Sequence, residues 1–175
     1  RIDFDAIAIE GIRHVAPVDL KYAEELGYRI KLLGIAERTA KGIQQRVRPC
    51  MVPMGAQIAQ VDGVFNAVAA EGSSVGPTLS YGRGAGAGPT ASAVIADLVD
   101  IGAGRRVPVF GVPTASLSAP RAAPPESLTG SYYIRLMVID RPGVLADLTA
   151  VFRDELVSVE AMIQSGRDPN EIVPV

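Results

Sequence analysis

The stretch Tyr81 to Asp100, YGRGAGAGPTASAVIADLVD, sets glycines at four alternate positions, Gly82, Gly84, Gly86 and Gly88. A Pro-Thr pair and a helix-like run follow. Glycines let backbone N–H groups come close to a bound group, and the first N–H groups of a helix have no partner within it. A strand end, a bare turn and a helix start could together cradle a phosphate or a nicotinamide. The same spacing also serves a helix that must lie tightly on a sheet. The glycines run GxGxGxG rather than GxGxxG, and no βαβ unit clearly surrounds them, so this is not the dinucleotide fingerprint. A second turn, Asp140-Arg141-Pro142-Gly143 followed by Val144 and Leu145, joins a strand-like run to a helix-like one. Pro-Gly is normal in such a plain connection.

Other chemistry-bearing residues are isolated. Arg83 lies inside the first turn, where its fork suits a phosphate or simply solvent. Thr90 suits a helix cap, with ligand contact as the second reading. Asn66 and Glu71 sit in a strand-rich region, where edge and turn roles compete with substrate contact. His14 is the only histidine, and no carboxylate can be named as its partner. Cys50 lies between apolar neighbours and reads as a small buried hydrophobe rather than a reactive thiol. No cluster has metal-ligand spacing.

The elements that must position these residues follow from periodicity. Pro17 to Leu26 reads as a helix, with Pro17 at its first position, Asp19 in the first turn, Gly27 beyond its end and Ala16 as a poor N-cap. Tyr28 to Glu37 has apolar residues on both faces, which predicts a buried central strand. Ile43 to Val52 alternates as a half-exposed strand, and Ala56 to Val61 reads as a short helix. Val64 to Ala70 and Val75 to Tyr81 are strands joined by a turn. Thr90 to Asp100 reads as a helix with Val94, Leu98 and Ile101 turned toward the sheet. Residues 105–130, rich in Pro, Ala, Ser and Gly, form a linker. Tyr132 to Asp140, Val144 to Asp154 and Val157 to Gln164 then read as strand, helix and strand. The helix turns Val144, Leu148, Val151 and Phe152 inward. The class is α+β, a mixed or antiparallel sheet covered by helices.

Composition bounds the partners. Seventeen Lys plus Arg against 19 Asp plus Glu give a net charge of −2 over 175 residues, which offers no electrostatic case for nucleic acid or an anionic membrane. No run is long and apolar enough to span a bilayer, and no signal peptide is evident. A single cysteine excludes an intrachain disulfide and is consistent with the cytoplasm. The chain opens on Arg within a strand-like run and closes on the apolar IVPV. Both ends predict an internal piece of a longer polypeptide.

The series AIEGIRHV, ELGYRIKLLGIA, QQRVRPCMVP, GVFNAVAAEGSSVG and YGRGAGAGPTASAVIADLVDI resembles, in order, the second half of the catalytic domain of bacterial homoserine dehydrogenase. The run YYIRLMVIDRPGVLADLTAVFRDELVSVEAMIQ resembles the ACT regulatory domain. The resemblance implies residues 1–104 as catalytic-domain sequence, 105–130 as linker and 131–175 as a truncated ACT domain of ferredoxin-like βαβ form. It implies NADP or NAD as cofactor, L-homoserine and aspartate semialdehyde as substrates, and a homodimer or higher homo-oligomer. It puts Gly86 beside the cofactor with Gly84 and Gly88 supporting the backbone path. It implies an effector, commonly threonine, at Asp140, Gly143, Val144 and Leu145. The family's catalytic lysine and substrate-binding acids fall before Arg1, so Lys21, Lys31 and Lys41 receive no catalytic role and no substrate-binding residue is named. The chain alone is then expected to be inactive. The alternative is a non-catalytic amino-acid-binding or dimerisation module, which would have no use for the glycine turn.

Overall fold

A computed structural model describes residues 4, 5, 7–106, 110–119, 121–124, 129–164 and 172–175. Its elements group into two units. The first holds Arg1–Ile12 and Arg29–Leu128; the second holds Arg13–Tyr28 and Thr129–Val175. A helix from early in the chain is therefore built into the same unit as the C-terminal residues.

In the first unit, β1 (Ala8–Ile9), β2 (Tyr28–Thr39) and β3 (Gly42–Pro53) form a sheet in the order β1-β3-β2. The short β1 runs parallel to β3, with Ala8 opposite Arg46 and Ile9 opposite Val47. The strand predicted to be central, β2, lies at the edge, and Leu32 remains 51% exposed. The half-exposed alternating strand, β3, takes the centre because β1 supplies it with a second neighbour. Beyond β1, Ala122 bridges Ile43 in parallel, so that the Pro/Ala-rich segment is pinned to β3 at this point. Val52 of β3 and Ala59, from a 3-10 turn at Gln57–Gln60, are buried.

A second sheet consists of β4 (Phe65–Gly72) and β5 (Gly76–Arg83), paired antiparallel from Phe65↔Arg83 to Gly72↔Gly76. The turn predicted between them is present. The helix α2 (Ala87–Gly102) follows and starts three residues before the predicted Thr90. The inward face expected for Val94, Leu98 and Ile101 is not found, since no residue of α2 is buried. Its apolar side chains surround the helix, and such a helix needs cover on more than one side.

The second unit joins α1 (Pro17–Glu25), β6 (Met137–Ile139), α3 (Val144–Asp154) and β7 (Ile172–Pro174). The predicted strand over 132–140 contracts to β6, and 157–164 is not a strand. Instead β6 pairs antiparallel with β7, Val138 opposite Val173, and mutual N–H to C=O bonds between Leu136 and Val175, both 2.8 Å, extend the pair. Tyr22 and Ala23 of α1 and Val173 of β7 form the buried centre, and the Tyr22 hydroxyl donates to the Pro174 carbonyl at 3.1 Å. Helix α3 begins and ends where the sequence predicts, but Val151, expected inside, is 59% exposed.

Candidate functional site

The glycine turn lies where β5 hands the chain to α2. Gly84 donates its N–H to the Val64 carbonyl at 3.3 Å, one rung past the strand pairing. Gly86 is the N-cap of α2 with φ +124° and ψ 152°, a region that side chains essentially forbid. Its carbonyl accepts from Thr90 N–H at 3.1 Å, the first bond of the helix. Ala87 and Gly88 therefore sit at the first two helical positions, whose N–H groups have no intrahelical acceptor. Pro89 brings no N–H at all. Beside them is a shallow recess of about 480 Å³ lined by Gly86, Ala87, Thr90, Ala91, Val94 and Ile95. Two free amides and an apolar wall can hold a planar ring with a polar edge.

Thr90 is not the cap predicted for it, because the helix begins earlier and Gly86 takes that position. Arg83 stands with its guanidinium 5.5 Å from the centre of the Phe65 ring, and Phe65 stacks on Tyr81 at 4.8 Å. Asn66 lies across β5 from Gly82, next to the turn, whereas Glu71 is far along the hairpin, opposite Pro77. His14 is exposed in a 3-10 turn. Cys50 is half-buried in β3, and burial pushes its thiol up, away from the reactive thiolate. Lys31 donates to Asp62 and to the Val61 carbonyl, both at 2.7 Å, and Arg29 reaches the same carboxylate at 3.1 Å. The Lys31 hydrogen bond is the main reason the Asp62 carboxyl is held below its ordinary range. Among the described residues no group of three or more His, Cys, Asp or Glu could hold a metal ion.

The second turn forms one wall of a larger pocket, about 720 Å³, lined by the continuous stretch 138–145 and by Gln164. Asp140, Gly143, Val144 and Leu145 all reach it. Gly143 adopts the left-handed conformation, φ +97°, as N-cap of α3, and its carbonyl accepts from Asp147 N–H at 2.9 Å. Gln164 donates to Asp140 at 3.1 Å. In the sequence Gln164 stands at the end of a strand-like run with nothing to mark a role. Only the fold returns it to the turn.

The same unit contains a buried acid whose place in the sequence, the first turn of α1, marks only a helix-dipole residue. Asp19 is 4% exposed. It accepts from Ala16 N–H, the Tyr133 hydroxyl and Arg135 Nε, each at 2.7 Å. Burial pulls its carboxyl up, and the three donors, the Ala16 N–H foremost, outweigh that and hold it below the ordinary value. Burial, then the neighbouring Asp19, pushes the Tyr133 hydroxyl well above its usual range. The cluster binds α1 to the segment just before β6, and its carboxylate oxygens are both engaged within the fold.

Comparison with known proteins agrees with this architecture. The family model described as "Homoserine dehydrogenase" matches residues 1–99. A homoserine dehydrogenase of Neisseria gonorrhoeae is 47% identical over 171 residues, covering 94% of this chain and 39% of the relative. That of Pseudomonas aeruginosa is 40% identical over 181 residues, covering 99% of this chain and 42% of the relative. The crystal structure of a homoserine dehydrogenase from Thiobacillus denitrificans superposes with a TM-score of 0.81 at 47% identity, over 98% of this chain and 40% of that one. By their names these relatives are oxidoreductases. The chain belongs to the homoserine dehydrogenase family. It spans about two-fifths of the length of the curated relatives it matches.

Proposed function

We propose that residues 1–175 form part of an NAD(P)-dependent homoserine dehydrogenase. The reaction is the interconversion of L-homoserine and L-aspartate 4-semialdehyde, a step toward threonine, methionine and isoleucine. The observation that carries this reading is the turn at Gly86, where a positive-φ glycine opens a helix beside an apolar recess. The donor set fits the cofactor. The Ala87 and Gly88 amides suit a carbonyl or phosphate oxygen, and Ala91, Val94 and Ile95 offer a wall for a flat ring. Gly86 would lie against the cofactor, with Gly84 and Gly88 keeping the backbone path. The bound cofactor supplies hydride transfer; these residues bind and orient it. Lys31, tied to Asp62, is assigned no proton transfer.

The second unit is read as an ACT regulatory domain. Its pocket would take an amino-acid effector, threonine first among them, at Asp140, Gly143, Val144 and Leu145, with Gln164 as a fifth contact. The Leu145 and Ala146 amides at the start of α3 suit the effector's carboxylate, the Val144 N–H being donated to the Arg141 carbonyl at 3.4 Å. A cytoplasmic homodimer or higher homo-oligomer belongs to the same proposal.

The test is homoserine-dependent reduction of NADP or NAD by the complete gene product containing this segment, beside the 175-residue chain alone. Turnover by the former and none by the latter is expected. Steady turnover by the short chain, or none by the complete product with either cofactor, overturns the reading. A non-catalytic amino-acid-binding module is the second reading, favoured by a pocket lined wholly within the second unit. It predicts amino-acid binding without nicotinamide binding.

A further inference from the structure

Two glycines of the turn are glycine for different physical reasons. Gly86 is fixed by its backbone, φ +124°, and among the described residues a Cβ there would meet only Pro89, at 3.4 Å and beyond. Gly84 has no such dihedral demand. A Cβ on Gly84 would instead fall onto the side-chain amide nitrogen of Asn66, with Asn66 Cγ 2.9 Å away. Space explains that glycine, and the group that takes the space is one side chain.

The strand register shows how this comes about. Phe65 faces Arg83, Asn66 faces Gly82 and Ala67 faces Tyr81 across the β4–β5 ladder. Successive residues of a strand alternate between faces. Phe65, Tyr81 and Arg83 thus fill one face at this end of the hairpin, with rings stacked at 4.8 Å and the guanidinium 5.5 Å above. On the other face Gly82 and Gly84 present no side chain. Among the described residues nothing lies within 4 Å of a Cβ placed on Gly82, while the Asn66 carboxamide folds over Gly84. Two residues further on, Gly86 begins α2.

We propose that Asn66 is a positioning residue for the glycine turn. Its carboxamide occupies the volume over Gly84 and so fixes the path from β5 through Gly84 and Ala85 to Gly86. This rests on the reading that the Gly86 turn holds the nicotinamide cofactor. The Gly84 N–H bond to Val64 secures the turn along the ladder direction. Asn66 secures it from the sheet face, where the three atoms nearest a Cβ on Gly84 are all its own. A methyl at position 84 would displace the carboxamide and shift the turn. Removing the carboxamide would leave the turn unsupported on that face.

The experiment is a double-mutant cycle in the complete gene product, with the dissociation constant of the reduced nicotinamide cofactor read by its fluorescence. Asn66→Ala and Gly84→Ala should each weaken cofactor binding, roughly fivefold, and the double variant should be no weaker than the worse single one, because contacting residues do not contribute independently. The KM for homoserine should move less than the cofactor constant. Gly86→Val is measured alongside. If Gly86→Val impairs binding while the two single effects multiply in the double variant, or while Asn66→Ala changes nothing, the positioning role is overturned and the site reading stands. If Gly86→Val also leaves binding unchanged, the site reading falls and the positioning role falls with it.

Discussion

Arg135 Nε donates to Asp19 Oδ1 at 2.7 Å across 116 residues of chain, and the carboxylate it meets is 4% exposed. The Tyr133 hydroxyl reaches the same oxygen. The other carboxylate oxygen turns back to Ala16 N–H at the start of α1. Ala16 has no side-chain acceptor, so Asp19 supplies a helix-start contact that the N-cap side chain cannot. A buried carboxylate without partners is costly; here every donor is charged or in a fixed position.

Asp19→Asn should therefore destabilise the protein by about 2–3 kcal/mol, since it removes the charge and leaves Arg135 without its counter-ion. Tyr133→Phe removes one donor and keeps the ring, and should cost about 1 kcal/mol. Chemical denaturation of both variants checks the order. Equal losses would mean that the charge pair contributes no more than the hydroxyl.

The same cluster sets an acid limit. The folded Asp19 carboxyl lies below its ordinary value. Its contribution is then fully present above the unfolded carboxyl pKa of about 3.9 and is lost as pH falls through the lower folded value. The Tyr133 hydroxyl, pushed up, contributes fully below about pH 10, and that part is lost as pH rises toward the raised folded value. In Tm profiles from acid to neutral pH, wild type and Asp19→Asn should converge at the acid end. A gap of constant size would contradict the assignment.

Gly143 opens α3 at φ +97°, a conformation that costs an alanine roughly 1 kcal/mol. Gly143→Val should lower stability and remove threonine binding by the complete gene product, measured calorimetrically. Gln164→Ala should weaken the same binding several-fold, because Gln164 holds Asp140 in place. Homoserine oxidation without effector should persist in both. Undiminished threonine binding in Gly143→Val would separate the effector site from this pocket.

Local signals were the legible ones. Pro17 and Gly27 bracket α1, and Gly143 with the amphipathic run after it gives α3 its bounds. The β4–β5 hairpin followed from two alternating runs and a turn. What failed was non-local. The choice of β3 as the central strand depends on β1, only two residues long and 38 positions before its partners (Ile9↔Val47), a pairing with no periodic signature of its own. The partner of β6 is β7 rather than the nearer 157–164 run, so an antiparallel pair replaces the expected strand. The Asp19 cluster joins residues whose types are ordinary in their own segments. Asn66 was visible as a polar residue near the turn, but its relation to Gly84 depends on strand register.

The measurement that bears most directly on the central claim is cofactor affinity of the complete gene product with Gly86→Ala. A methyl has room beside Pro89 at 3.4 Å, so the substitution acts through the φ of +124° alone. Strain of that kind is worth about 1–3 kcal/mol, and the turn should relax away from its binding form. Binding of NADPH or NADH should be at least tenfold weaker, with the α1–β6 unit unchanged in stability. Binding equal to wild type would contradict it, and the glycine turn would then be a means of folding the chain rather than a cofactor site.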